Sequence, residues 1–196
     1  MKTVLLMRHA EAAEAERGQS DIDRPLTAAG VAMAWQTGLL LQQLGVMPQR
    51  IVASSALRTT QTAVLVRESV AGLAPPDFSS ADPVVDIQRR FGVGIPVQLQ
   101  RGLYGAAADT FADAARYEAA PDEDRILVVG HNPGMAMLMC CWSCSAFSVP
   151  PATLAVFQFS VDDWLEAGRS GCRGELRLLI RNGQIDRSHG TPIAGE

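Results

Sequence analysis

The stretch Thr3-Val4-Leu5-Leu6-Met7-Arg8-His9 decides the fold. Residues 3–7 carry no charge and do not alternate between apolar and polar. A strand of that kind is covered on both faces, as in a parallel or mixed sheet flanked by helices. It stops at two basic side chains. Ligands of such sheets bind beyond the carboxyl ends of the strands, so Arg8 and His9 stand where a ligand would be met.

Outward from this strand, residues 10–25 are polar and contain Gly18, Ser20 and Pro25, which makes them a loop. Thr27 is the N-cap of a helix, with Leu26 and Val31 as its hydrophobic staple. Val31, Trp35, Leu39, Leu40 and Leu44 give the helix its apolar spacing, and Gly45 ends it. Residues 50–53 form a second strand. Ser54 or Ser55 caps a helix that runs to about Val70. The segment 74–96 is rich in proline, contains Arg89-Arg90, and reads as a long loop or insertion. Residues 97–99 are a third strand and 107–120 a helix. Residues 126–129 are a further buried strand, followed by a helix with Asn132 as cap and Pro133 in first position. Strands follow at 153–159 and 175–180, separated by a polar loop holding Trp164. The tail from Arg181 is polar and reads as frayed. Alternating strands and helices predict an α/β three-layer sandwich with a mostly parallel central sheet and helices on both faces, in a single domain over 1–196.

Composition removes several classes. A chain of 196 residues can bury roughly 70% of its unfolded surface without a disulfide or metal. With 47% hydrophobic and 19% charged residues it is not intrinsically disordered. No apolar run reaches the ~20 residues of a membrane span. Seventeen basic against 21 acidic residues disfavour nucleic acid as a partner. The apolar run 4–7 is too short for a signal-peptide core. Cys140, Cys141 and Cys144 are clustered and Cys172 stands apart, which is no disulfide framework. Free thiols and no export signal predict a cytoplasmic protein.

Three strand ends carry chemistry: Arg8-His9, Ser54 to Arg58, and Gly130-His131. His131 stands before a helix whose N-terminal amides and dipole attract an anion. Arg58 falls in the first turn of its helix, where a cation is disfavoured by up to about 1 kcal/mol at a surface site. A bound anion bridging Arg58 reverses that sign. Two imidazoles, two guanidiniums and helix N-termini around one point suit a phosphoryl group, with its several acceptor oxygens.

These residues also resemble a known family. Met7-Arg8-His9-Ala10 resembles the opening signature of the histidine phosphatase superfamily. Asp23-Arg24-Pro25-Leu26-Thr27-Ala28-Ala29-Gly30 is similar to the segment that follows it in SixA-type phosphohistidine phosphatases. The stretch from Ser54 through Arg58-Thr59-Thr60-Gln61-Thr62-Ala63 resembles the second-arginine motif, and Val128-Val129-Gly130-His131-Asn132-Pro133-Gly134 the second-histidine motif. Leu103-Tyr104-Gly105 resembles a shorter segment of the same group. The motifs occur in order along nearly the whole chain.

The resemblance implies a phosphatase. His9 would attack phosphorus and become a transient phosphohistidine. Arg8, Arg58 and His131, with Asn132, would bind the phosphoryl oxygens, and water would then release phosphate. A loose phosphoryl transition state needs mainly positioning and charge stabilisation. The scheme requires no metal and no cofactor. Its partner is a phosphorylated substrate, a phosphohistidine protein or another small phosphorylated group. The departure from the pattern is the proton donor: Gln100-Arg101-Gly102-Leu103-Tyr104 holds no carboxylate where many members carry one. Glu11 and Asp109 are the candidate substitutes. A phosphoramidate leaving group is easier to expel than an alkoxide, so it tolerates a missing acid. The alternative is a non-catalytic phosphate- or phosphoprotein-binding module that kept the pocket and lost turnover.

Other features read as structural. Arg24 pairs with Asp21 or Asp23, and His189 is solvated in the tail. Cys140, Cys141 and Cys144 read as small hydrophobes in an apolar helix, with a thiol redox or zinc role as the second alternative. Trp35, Phe157 and Phe159 are core.

Overall fold

The computed structural model describes residues 1–74, 94–169 and 173–188. Most of the long segment predicted at 74–96, including Arg89 and Arg90, lies outside them, as do Cys172 and His189. Strand β1 (Lys2–Arg8) lies inside a seven-stranded sheet. The other strands are β2 (Arg50–Ser54), β3 (Val97–Gln100), β4 (Arg125–Gly130), β5 (Leu154–Phe159), β6 (Glu175–Arg181) and β7 (Gln184–Ile185), in the spatial order β3-β2-β4-β1-β5-β6-β7. Both faces of β1 are covered. Val4 and Leu6 join Ile126, Val128, Phe157 and Phe159 on one side. Leu5 and Met7 join Leu127, Val129, Leu154 and Val156 on the other. Full burial of such a side chain stabilises by about 1.5–3 kcal/mol, so the uncharged run becomes a central strand.

Helices α1 (Ala28–Gln43) and α2 (Leu57–Val70) cover the Leu5 side. Helices α3 (Ala108–Glu118) and α4 (Gly134–Ser143) cover the Val4 side. The three-layer α/β sandwich is as expected. The sheet is less parallel than predicted: β1–β4, β2–β3 and β2–β4 pair parallel, but β1–β5, β5–β6 and β6–β7 pair antiparallel. The cause is the return from α4. After that ten-residue helix the chain comes back to the edge where β1 ends, where the Arg8 and Ala152 amides donate to the Thr153 and His9 carbonyls. Strand β5 therefore starts at the carboxyl end of β1 and runs against it.

Helix α1 does not bury the expected face. Thr27 caps it by accepting from the Gly30 amide, but the buried residues are Gly30, Ala34, Thr37, Gly38 and Leu41. Val31, Trp35, Leu40 and Leu44 are only partly buried at the margin of the cluster. The small residues are needed because α2 approaches closely. A Cβ on Gly38 would overlap Ser69 Oγ and lie 2.8 Å from the Val66 carbonyl oxygen. Helix α2 is buried from Arg58 to Val70 despite its polar composition. Its N-cap is Ala56, with no side-chain cap bond, so neither Ser54 nor Ser55 has the predicted role at that position.

The tail is not frayed at its start. Asn182 (φ 52°) and Gly183 (φ 69°) turn β6 into β7. Positive φ at both central residues is the two-residue hairpin turn that Asn-Gly favours. Trp164 is buried, with Nε1 donating to the Glu123 carbonyl at 2.8 Å. Among the described residues no helix is long and apolar enough to cross a membrane.

Gly38→Leu is expected to force α1 from α2 and lower stability by about 1–3 kcal/mol. The measurement is urea unfolding, with a lowered midpoint at unchanged slope.

Candidate active site

The parallel register of β1 and β4 pairs Arg8 with Gly130. One residue beyond each strand comes a histidine, and the His9 and His131 ring centroids lie 5.2 Å apart. The His9 amide donates to the Gly130 carbonyl, which ties the two ends together. Gly130 has no room for a side chain, because a Cβ there would overlap the Phe111 ring. Arg58 enters from the first turn of α2. The four predicted site residues Arg8, His9, Arg58 and His131 thus line one pocket of about 280 Å³, together with Asn132, Asp21, Tyr104 and Gly105.

His9 Nδ1 lies 2.7 Å from the Ala10 carbonyl oxygen. A carbonyl only accepts, so Nδ1 carries the ring proton and the lone pair is on Nε2. Burial lowers the His9 pKa to about 4; the Ala10 hydrogen bond opposes this, and the Arg58 and Arg8 charges add to it. His131 is lowered to about 3, chiefly by burial and then by His9 and Arg58. Its Nε2 lies 2.8 Å from Ser54 Oγ. Ser54 is therefore a partner of His131, not a helix cap, a role sequence reasoning missed.

Asp21 organises the cationic side. Its carboxylate accepts from Arg58 Nη2 at 2.9 Å, Arg24 Nη1 at 2.9 Å and the Tyr104 hydroxyl at 2.6 Å. Its backbone carbonyl accepts from Arg58 Nη1 at 2.6 Å. The Tyr104 hydrogen bond, then that of Arg24, holds the Asp21 carboxyl well below the usual carboxylate range. Asp21 also raises the Tyr104 phenol. The cation in the first turn of α2 is thus offset by a carboxylate of the chain itself. Arg24 pairs with Asp21 as expected, but the place of Asp21 and Tyr104 in the pocket was not foreseen. Leu103-Tyr104-Gly105 was the available signal.

Unmet polar atoms collect around the same pocket. Arg8 donates Nη1 to the Val149 carbonyl at 2.8 Å, while its buried Nε has no protein partner. The same holds for His131 Nδ1 and Asn132 Oδ1. Asn132 is not the predicted cap: Nδ2 donates to the Val149 carbonyl, and Pro133 is the N-cap of α4. Glu11 and Asp109 do not line the pocket. Glu11 accepts from Thr27 Oγ1 at 2.7 Å, and Asp109 lies in the first turn of α3. Two guanidiniums and two neutral imidazoles, one presenting a free Nε2, can bind a phosphoryl group and attack it.

Residues 4–77 match the model of the histidine phosphatase superfamily (branch 1). The solved structure of the protein described as phosphohistidine phosphatase SixA from Nakamurella multipartitia superposes with a TM-score of 0.65 at 25% identity, over 92% of this chain and 95% of that one. Its counterpart from Agrobacterium tumefaciens gives 0.59 at 27% identity, over 80% and 91%.

Residues 4–77 thus carry the histidine phosphatase pattern, and the chain shares its fold with these SixA structures.

The mitochondrial serine/threonine-protein phosphatase Pgam5 of Drosophila ananassae is 29% identical over 161 residues, 76% of this chain; the chain spans about half of that relative, 52% of its length.

The cysteines differ from expectation. Cys140 is half-buried, but Cys141 and Cys144 are exposed, and Cys144 is the left-handed C-cap of α4. All three are free thiols. Among the described residues no group of His, Cys, Asp and Glu is arranged to hold a metal.

Neutral histidines have a pH signature. Unfolded, each ring binds a proton near pH 6.5; folded, His9 does so only near 4 and His131 near 3. The unfolded state binds more protons in between, so stability is lost as pH falls from about 6.5 towards 4 and 3. Imidazole NMR of the native protein is expected to show both rings neutral at pH 5.5. A midpoint near 6.5 for His9 contradicts the burial argument.

Proposed function

We propose that the chain is a phosphatase that turns over through a phosphohistidine on His9 and acts on phosphohistidine or a related phosphoramidate. One observation carries the reading. His9 is neutral, its Nδ1 proton is fixed on the Ala10 carbonyl, and Nε2 is left as the nucleophile in a pocket holding Arg8 and Arg58. Nothing has to remove a proton before attack.

In the first half-reaction Nε2 bonds to phosphorus as the leaving group departs. Arg8, Arg58 and His131 hold the phosphoryl oxygens. Charge stabilisation by preorganised donors in a partly buried site is worth more than in water. With the Ser54 hydroxyl donating to Nε2, His131 presents an Nδ1 proton to the oxygens without being charged. Asn132 braces the Val149 loop that also orients Arg8. In the second half-reaction water displaces phosphate from His9, which returns to its neutral form. The missing carboxylic acid fits a leaving nitrogen better than an alkoxide. The exposed free thiols of Cys141 and Cys144 suit a reducing compartment such as the cytoplasm.

The test is turnover of a phosphohistidine peptide beside an aryl phosphate, with acid-stable and acid-labile label on the protein separated after quenching. His9→Ala is expected to abolish turnover and the acid-labile label. Arg58→Ala and His131→Ala are each expected to lower kcat/KM by about 10²–10³-fold and to weaken vanadate binding. Vanadate binding with no turnover by the native protein supports a phosphate-binding module instead.

A further inference from the structure

We infer that the Asp21 carboxylate selects leaving groups that carry a protonated ring nitrogen, as the imidazole of phosphohistidine does; this rests on the phosphatase reading above. Among the described residues lining the pocket, Asp21 is the one carboxylate. A carboxylate in a pocket built for phosphoryl oxygens repels them. Its position is nonetheless firmly built: Arg58 Nη1 donates to the Asp21 backbone carbonyl, and Arg58 Nη2, Arg24 and the Tyr104 hydroxyl donate to the carboxylate.

The hydrogen-bond capacity of Asp21 is not exhausted. An ionised carboxylate offers about four acceptor sites. Three are taken: one on Oδ1 by Arg24, and two on Oδ2 by Arg58 and Tyr104. The side chain is 50% exposed, so the remaining site on Oδ1 can be reached by a ligand. The group that fits it is a donor with positive charge.

Phosphohistidine supplies one. When the ring nitrogen remote from phosphorus is protonated, that N–H donates to Asp21. His9 Nε2 then forms its bond to phosphorus and the P–N bond breaks. The electron pair of that bond goes to the ring nitrogen that carried phosphorus. The proton on the remote nitrogen stays where it is, and the leaving group is neutral imidazole. No acid has to protonate the departing atom. Asp21 does for the substrate imidazole what the Ala10 carbonyl does for His9. A phenoxide or alkoxide leaving oxygen has no such proton and meets only the carboxylate's repulsion.

The experiment measures kcat/KM of the full chain for a phosphohistidine peptide and for 4-nitrophenyl phosphate, in the native protein, Asp21→Asn and Tyr104→Phe. Loosening of Arg58 affects both substrates, so the readout is their ratio. Asp21→Asn is expected to lower the phosphohistidine-to-aryl ratio by tenfold or more. Tyr104→Phe keeps the carboxylate and is expected to hold the ratio within about threefold of native. Asp21→Ser replaces Asp21→Asn if the latter does not fold. An equal loss on both substrates overturns the inference and leaves Asp21 as an anchor for Arg58. A native protein that labels on His9 but turns over only the aryl phosphate overturns the selectivity while the phosphatase reading stands. A native protein that labels on neither substrate overturns both.

Discussion

The pairing of Arg8 with Gly130 in the β1–β4 ladder is the constraint on which the site depends. It puts His9 and His131 side by side, each one residue past its strand, and the His9 amide on the Gly130 carbonyl locks that junction. Alternation of apolar and polar residues does not set this register, because both strands are apolar on both faces. Shape sets it. Phe111 occupies the space where a Cβ on residue 130 would lie, so only a glycine can stand at that rung. A one-residue slip of β4 would bring Val129 against the Phe111 ring and turn His131 to the other face of the sheet, away from His9.

The electrostatics follow from burial on that edge. Two imidazoles are taken out of water beside two guanidiniums, and the protonated form of each ring becomes the costly one. The result is a positively charged pocket whose histidines stay neutral, which suits the proposed roles of nucleophile and hydrogen-bond donor. Asp21 moderates the same field. It neutralises Arg58 where the α2 dipole disfavours a cation, and it draws Tyr104 against the site. The return from α4 completes the pocket, since the Val149 carbonyl receives both Arg8 and Asn132.

Much of this was legible in the chain. The uncharged run of β1, the Thr27 cap, the positions of Arg8, His9 and His131 at strand ends and that of Arg58 in the helix turn after β2 followed from local pattern and from the rule for ligand sites in such sheets. The Asn182-Gly183 dipeptide is equally a local hairpin signal, although the polar composition around it points to a tail. The buried face of α1 was not legible. Apolar spacing pointed to Val31, Trp35 and Leu44, but close approach of α2 selects Gly30, Ala34 and Gly38 for their small size.

Alone, the sequence determined which segments become strands and helices and which strand ends carry reactive side chains, because those depend on local propensity, capping and burial pattern. It could not decide which side chains from distant segments complete the pocket. Asp21, Ser54 and Tyr104 lie 83 positions apart at the extremes and meet Arg58 or His131 only through tertiary contact. Nor could it decide the direction of β5. An apolar strand carries no mark of parallel or antiparallel pairing; the place where the connecting chain returns to the sheet decides it.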